Sequence, residues 1–445
     1  MRLIDRDLTS IIDNEALAYA LYTIENRAIP NMIDGFKPVH RFVVHRALQM
    51  SRGDKNKFHK VAAIGGGVSD LGYHHGEDSA EKAGVGLANT WANNVPLLDG
   101  QGNFGSRLQH EPGQPRYIFA RINDNFRKLY KDSVYAPIHK DEEHVPPAFY
   151  LPIIPTVLLN GISGIATGFA TDILPHSMES VRQATLEILR GGKPVEPEVS
   201  YPQFRGSVHK IEDEDNKYEL HGTYKFTSRT QMTITEVPYK WERGSYIEKI
   251  LDKLEDAGMI TWSDECDKTG FGFKIKFRKD YKLPEDETER HNKIMRDFGL
   301  IERVSQNITV INEQGKLAEY KCALDLIDDF VKVRKVFVQK RIDQKIVETN
   351  DAFMLALAKA KFIKDVIEGK IVIQGKTRKQ LTQEIAGIDT YKDHAEALVT
   401  MNIYHITTDE AKKLALEAKS KKEECEYWKQ TTVMTEYTKD LEELC

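Results

Sequence analysis

Cysteine is scarce in this chain: four residues in 445, Cys266, Cys322, Cys425 and Cys445, none at a paired spacing. That leaves neither a cysteine zinc site nor a disulfide framework, and a reducing cytoplasm is the expected compartment. Long apolar runs are missing too. No stretch approaches the roughly 20 residues of a membrane-spanning helix, and the N-terminus has no signal-peptide core, so no membrane partner is expected. Charge of one sign is not in excess: 63 Lys and Arg against 68 Asp and Glu give a formal net charge of -5, too balanced for a surface coated uniformly in nucleic acid. Internal repeats and low-complexity tracts are absent as well.

What the chain does have is length, core-forming residues and a local basic patch. With 445 residues and 40% hydrophobic content, about three domains are expected, each able to bury a core. From Arg27 to Lys60 the bases Arg27, Lys37, Arg41, Arg46, Arg52, Lys55, Lys57 and Lys60 face only Glu25, Asp34 and Asp54.

The first third has helical periodicity. Leu8, Ile11, Ile12, Ala16, Tyr19 and Thr23 recur at helical spacing, and Pro38 opens a second stripe of Val39, Val43, Ala47 and Met50. Arg41, His45 and Arg52 are expected on another, basic face of that helix. A helical pair follows, Phe58 to Leu71 and Asp78 to Trp91, joined by Gly72-Tyr73-His74-His75-Gly76-Glu77 at helix-turn-helix spacing. Asp78 with Glu81 has the spacing of a capping box. Gly65, Gly66 and Gly67 would each cost about 1 kcal/mol in a helix, which predicts a break or the close approach of another backbone.

From about Pro146 to Lys321 strand-like runs appear, among them Thr156–Leu159, Thr230–Ile234 and Phe273–Phe277, with a helix near Tyr246 to Ala257 and a charged exposed loop from Pro284 to Glu289. This is an α+β domain. Beyond Leu324 the residues Ile327, Val331, Val338, Ile342 and Phe353 signal one long helix to about Ile367, and Thr408 to Trp428 signals another. A compact insert between them suggests an antiparallel coiled coil with a small tip domain.

Two glycine motifs mislead. Gly369 and Gly375-Lys376-Thr377 are separated by five residues where a phosphate-binding loop has four, and no buried strand leads into them. Gly100, Gly102 and Gly105 match a dinucleotide spacing, but the helix that should follow would contain Pro112 and Pro115; a tight exposed loop fits better. Asp213-Glu214-Asp215 resembles an acidic metal motif but sits in a run typical of a solvated hairpin tip. No catalytic metal site of the chain's own is expected.

Arg116-Tyr117 alone is a common dipeptide, and a tyrosine beside aliphatic residues usually packs in a core. Its company changes the reading: His40, Arg41, His74, His75 and Arg116 all lie on segments that the helix-turn-helix would bring to one face. A tyrosine with an unperturbed pKa near 10 is about one part in a thousand phenolate at neutral pH, so attack on a phosphate needs a base or nearby positive charge. Arginine stays charged and grips phosphate oxygens through a planar fork. A protein side chain as nucleophile keeps the broken strand attached, exchanging one phosphodiester for another, so rejoining needs no outside energy.

Six ordered motifs carry a resemblance that covers nearly the whole chain: Asn26-Arg27-Ala28-Ile29-Pro30, Asp34-Gly35-Phe36-Lys37-Pro38-Val39-His40-Arg41, Tyr73-His74-His75-Gly76-Glu77, Asp99-Gly100-Gln101-Gly102-Asn103-Phe104-Gly105-Ser106, Arg116-Tyr117 and Asn160-Gly161-Ile162-Ser163-Gly164-Ile165-Ala166. The chain resembles the cleavage subunit of type IIA DNA topoisomerases. The resemblance implies a multidomain α+β fold: a winged-helix cleavage domain over 1–150, an α/β tower over 151–322, and a coiled coil with a dimerisation gate over 323–445, its tip at about 363–405.

By the same resemblance, Tyr117 forms a 5′-phosphotyrosyl bond and Arg116 stabilises the transition state. Arg27 lies near the scissile phosphate. Lys37, His40, Arg41, His74 and His75 contact double-stranded DNA, and Ile165 wedges into a base step, trading unstacking for a bent duplex that touches more protein. Ser79 and Glu81 resemble the region where topoisomerase poisons touch the protein; their plain role is helix capping. The resemblance implies a homodimer whose partner subunits supply ATP hydrolysis and hold Mg²⁺. The chain's end at Cys445 leaves no room for a DNA-wrapping domain, so relaxation is expected rather than active supercoiling. A non-catalytic helix-turn-helix protein that only shapes DNA is the competing reading, and a coiled-coil scaffold a third that leaves the basic region idle.

Overall fold

The computed structural model describes residues 7, 9, 11–401 and 407–444. Leu8, Cys445 and the last residues of the expected tip, 402–405, lie outside them. The chain divides into two compact units, Met1–Arg334 with Asp440–Cys445, and Lys335–Lys439.

In the first unit α1, Pro38–Met50, starts with proline at its first position and buries Phe42, Val43, Val44 and Ala47. Fully burying a side chain such as Val43 stabilises by about 1.5–3 kcal/mol. Of the expected basic face only Arg41 is buried with them, while His45 is half-buried and Arg52 exposed. Strand β1, His59–Lys60, leads into α2, Val61–Gly66, and α3 spans Glu77–Ala88. The single helix expected from Phe58 to Leu71 is therefore a strand, a short helix and the turn Ser69–Leu71. The glycines explain the break: a Cβ on Gly65 would sit 2.6 Å from Glu81 Cγ, and one on Gly67 would sit 2.3 Å from Arg46 Nε. Neighbouring elements occupy the missing side chains' space.

The capping box at Asp78 does not form. The residue before α3 is Gly76, at φ 86°, and no side chain caps the helix. Glu77 and Asp78 instead place negative charge in the first turn, where the helix dipole favours it. Strands β2, Leu98–Gln101, and β3, Phe119–Ile122, complete a three-stranded antiparallel sheet of order β1-β3-β2.

The run Thr156–Leu159, expected as a strand, is a helical turn: Val157–Asn160 is helical and ends at Gly161, φ 66°. Beyond it the hairpin of β4, Ile162–Ile165, and β5, Ala170–Ile173, pairs antiparallel. Residues 207–320 carry three further sheets, one four-stranded, one three-stranded and one two-stranded. Phe273-Lys274-Ile275-Lys276-Phe277 alternates buried and exposed as its period predicts, and Phe273, Ile275, Met232, Ile234 and Tyr246 share one core. The exposed loop at Pro284 is shorter than expected, because Asp286 caps a helix that begins at Glu287.

One helix runs Ala323–Ile367 and a second Thr408–Gln430, close to the periodicity reading. Within the second unit, Phe362, Ile371, Leu381, Ile385, Tyr391 and Leu398 form a separate core around the small insert. Among the described residues no helix is long and apolar enough to cross a membrane.

Candidate nucleic-acid interface

Tyr117 sits on a turn bolted to α2. Its N–H donates to Gln114 O at 2.9 Å, while Val61 N–H donates to Ile118 O (3.0 Å) and Ala62 N–H to Pro115 O (3.2 Å). The first amide groups of a helix have no partner within it, and here the carbonyls of the tyrosine turn satisfy two of them. Ile118 is buried beneath Gly102, where φ is 116° and a Cβ would approach Ile118 Cγ2 to 2.9 Å. With Ile118 locked inward, Tyr117 points outward and is 69% exposed. The Arg116 guanidinium lies 5.0 Å from the centre of the Tyr117 ring, a cation–π distance.

A second set of residues gathers around His75. Tyr22 Oη lies 2.7 Å from His75 Nε2, and the Tyr73 ring meets the His75 ring edge-on at 5.4 Å. Burial, then the charge of Arg27, then His74 lower the pKa of His75 below its ordinary value. Burial raises that of Tyr73, partly offset by a hydrogen bond with Ser79 and by Arg27. His74 Nε2 is 3.6 Å from Glu143 Oε2, both side chains mostly exposed. Arg27, Tyr73, His75 and Ser79 are thus brought together. Glu81 packs over Gly65, and burial, with Asp78 and Glu77, raises its pKa.

Ile165 ends β4 opposite Ala170 and is 86% exposed, so the alternative of a core isoleucine does not hold. Lys37 Nζ donates to Ser163 O at 2.7 Å, and a Cβ on Gly164 would lie 2.1 Å from Ala28 O. The hairpin therefore rests on the segment that carries Arg27.

One expected DNA contact is corrected, and another keeps only a neutral donor. Arg41 is 7% exposed: its Nε donates to Asp34 Oδ2 at 2.7 Å, and its Nη2 to Asp34 Oδ1 (3.3 Å) and Phe36 O (3.2 Å). Its charge is spent inside. His40 Nδ1 accepts the Lys37 N–H at 3.4 Å, and burial, then Lys37 and Arg41, push its pKa down to about 3. A neutral His40 can offer a phosphate only the hydrogen on its Nε2. Among the described residues no hydrogen bond or ion pair joins Tyr117 to Arg27 or His75, and no group of three or more His, Cys, Asp or Glu could hold a metal ion.

A family model for the A-type subunit of DNA gyrase and topoisomerase IV matches residues 27–443. The chain belongs to that family. It is 67% identical over 444 residues to the DNA topoisomerase medium subunit of Enterobacteria phage T4, with 100% of each chain covered. It is also 31% identical over 370 residues to DNA topoisomerase 2-alpha of Mus musculus, covering 80% of this chain and 24% of that protein. The fold is similar to the crystal structure of the Plasmodium falciparum topoisomerase II DNA-binding, cleavage and re-ligation domain, at a TM-score of 0.83 and 24% identity, over 97% of this chain and 63% of that one. The chain thus spans the whole phage relative but about a quarter of the mouse one.

Within this topoisomerase subunit, sequence reasoning missed two residues that organise the site. Asp34 is fully buried and holds Arg41; the signal was a carboxylate set between Ile33 and Phe36, in an apolar stretch. Tyr22 gave no such signal. Only the folded chain brings it to His75, 53 positions away.

Proposed function

We propose that this chain is the DNA cleavage and religation subunit of a type II topoisomerase, with Tyr117 as the nucleophile. The carrying observation is the outward, 69% exposed hydroxyl-bearing ring of Tyr117, on a rigid turn beside the Arg116 guanidinium. Its phenolic oxygen gives up its proton and attacks a backbone phosphorus, the new P–Oη bond replaces the bond to the 3′ oxygen, and the released 3′ oxygen takes up a proton to become a hydroxyl. Religation runs the same steps backwards. Arg116 offers fixed positive charge to the phosphate oxygens, the form of stabilisation on which phosphoryl transfer chiefly depends.

Arg27, Lys37, His74 and His75 form the surface that holds the gate duplex, and Ile165 enters a base step. Arg41 and His40 act one layer beneath, fixing the Asp34–Lys37 turn and the start of α1. Ser79 and Glu81 border this surface at the head of α3 and remain the region we assign to drug contact. Residues 1–150 serve as the winged-helix cleavage domain, 151–322 as a tower, and 323–445 as a coiled coil with a homodimer gate at its tip, about 363–405. Type II topoisomerases generally use Mg²⁺ and ATP. Partner subunits supply ATP hydrolysis and the cation, held mainly by them, and the assembly works in the cytoplasm of a host bacterium.

The test is reconstitution of the full chain with ATPase subunits, Mg²⁺, ATP and a supercoiled plasmid. Relaxation with linking number changing in steps of two supports the reading, and DNA binding without any change in linking number rejects it.

A further inference from the structure

The N-terminal helical run, Ile11–Ala28, places two side chains against His75, and only one of them belongs to a recognised motif. Ile24, Ala28 and Ile29 anchor this run in a small core with Ile311. From that anchored run Arg27 and Tyr22 both reach His75: Arg27 through its charge, Tyr22 through a direct contact of 2.7 Å between Oη and Nε2. The Tyr22 and His75 ring centres lie 5.8 Å apart at 51°, which directs the hydroxyl at the ring nitrogen rather than stacking the faces. Tyr22 is 43% exposed, so its hydroxyl could be satisfied by water alone. It is held instead by a histidine 53 residues away.

We propose that Tyr22 is a positioning residue: its hydroxyl donates to His75 Nε2, which leaves the proton of the neutral ring on Nδ1 as a donor to the gate duplex. This rests on the reading that His75 touches DNA. The two nitrogens of a neutral imidazole are coupled, so fixing one as acceptor makes the other the donor. A phosphate or base-edge acceptor requires that donor, and without Tyr22 the ring could take either tautomer. The surroundings favour a neutral ring. The groups facing it are Tyr22 and Arg27 from the N-terminal run, and Tyr73 and His74 from its own loop, the last beside Glu143. Arg27 is the fixed positive charge among them, and it opposes a second one on the imidazole.

Two measurements on the full chain test this. In the ¹⁵N-histidine-labelled protein, the His75 ring signals of the wild type should report the proton on Nδ1. Tyr22→Phe, which keeps the ring and removes only the hydroxyl, should shift them toward the other tautomer and raise the pH at which the ring protonates by roughly half a unit to one unit. In the enzyme reconstituted with its partner subunits, Tyr22→Phe should lower the fraction of DNA cleaved about fivefold, the worth of one net hydrogen bond. The same change in a His75→Ala background should have no further effect. Unchanged His75 signals in Tyr22→Phe, or an equal loss in both backgrounds, overturn the proposal while leaving His75 as a DNA contact. Full DNA binding and cleavage by His75→Ala overturns the underlying site reading, and the proposal with it.

Discussion

Replacing Asp34 by alanine should damage this protein more than any surface change at the cleavage site. The carboxylate is fully buried and has four donors: Arg41 Nε (2.7 Å) and the Tyr150 N–H (3.0 Å) on Oδ2, and Arg41 Nη2 (3.3 Å) and the Phe36 N–H (3.0 Å) on Oδ1. Its backbone carbonyl also accepts Tyr130 Oη–H (3.0 Å) and Thr156 Oγ1–H (2.8 Å). Alanine keeps the carbonyl contacts but strands the Arg41 guanidinium in the interior. Removing one partner of a buried ion pair costs about 3–5 kcal/mol, because the other charge stays buried without compensation. The two orphaned backbone N–H groups add to that, so a loss of about 4 kcal/mol or more is expected. Urea unfolding of the full chain, followed by the burial-sensitive fluorescence of its tryptophans, measures it. The double variant Asp34→Leu/Arg41→Met should recover most of the loss, since a buried pair replaced by apolar groups of similar volume is often neutral. A loss below about 1 kcal/mol in Asp34→Ala, or no recovery in the double variant, would show that the pair does not organise this region.

Two other outcomes follow from single residues. His176 is fully buried, its Nδ1 lies 3.1 Å from Leu158 O, and burial pushes its pKa down to about 4. The unfolded chain therefore binds a proton that the folded chain refuses, so the stability present above about pH 6.5 is lost as pH falls toward 4, by roughly 3 kcal/mol in all. Urea midpoints measured from pH 7 to 4.5 should fall less in His176→Gln than in the wild type, and parallel curves would refute the assignment. Ile165→Ala should change stability by less than about 0.5 kcal/mol, because the side chain is 86% exposed, yet reduce DNA bending measured by energy transfer between end-labelled duplex arms. Undiminished bending would remove the wedge.

Periodicity recovered what periodicity governs. The helices Ala323–Ile367 and Thr408–Gln430, the strand Phe273–Phe277 and α1 opening at Pro38 were all legible, because each repeats its burial pattern over several residues. Thr156–Leu159 was misread because a four-residue apolar run has the composition of a buried strand and is too short to show a helical period. The broken helix at Val61–Gly66 shows the opposite case: three glycines signalled a close approach, and the structure supplies the neighbours, Glu81 and Arg46. Basic residues were the least legible. A position on a helix says which way Arg41 points, but not that Asp34 waits there to neutralise it. The role of Tyr117 was carried by its basic company and by resemblance; the dipeptide Arg116-Tyr117 alone left it a tyrosine beside aliphatics.

The most direct measurement is capture of DNA by the Tyr117 oxygen. The reconstituted enzyme, with Mg²⁺ and end-labelled duplex, is stopped with denaturant, and the label retained on this chain is counted for the wild type and for Tyr117→Phe. The wild type should hold the 5′ ends covalently through residue 117, and the phenylalanine variant should bind duplex with nearly unchanged affinity but trap none. Covalent DNA persisting in Tyr117→Phe, or a wild-type adduct mapped to any other residue, would contradict the account.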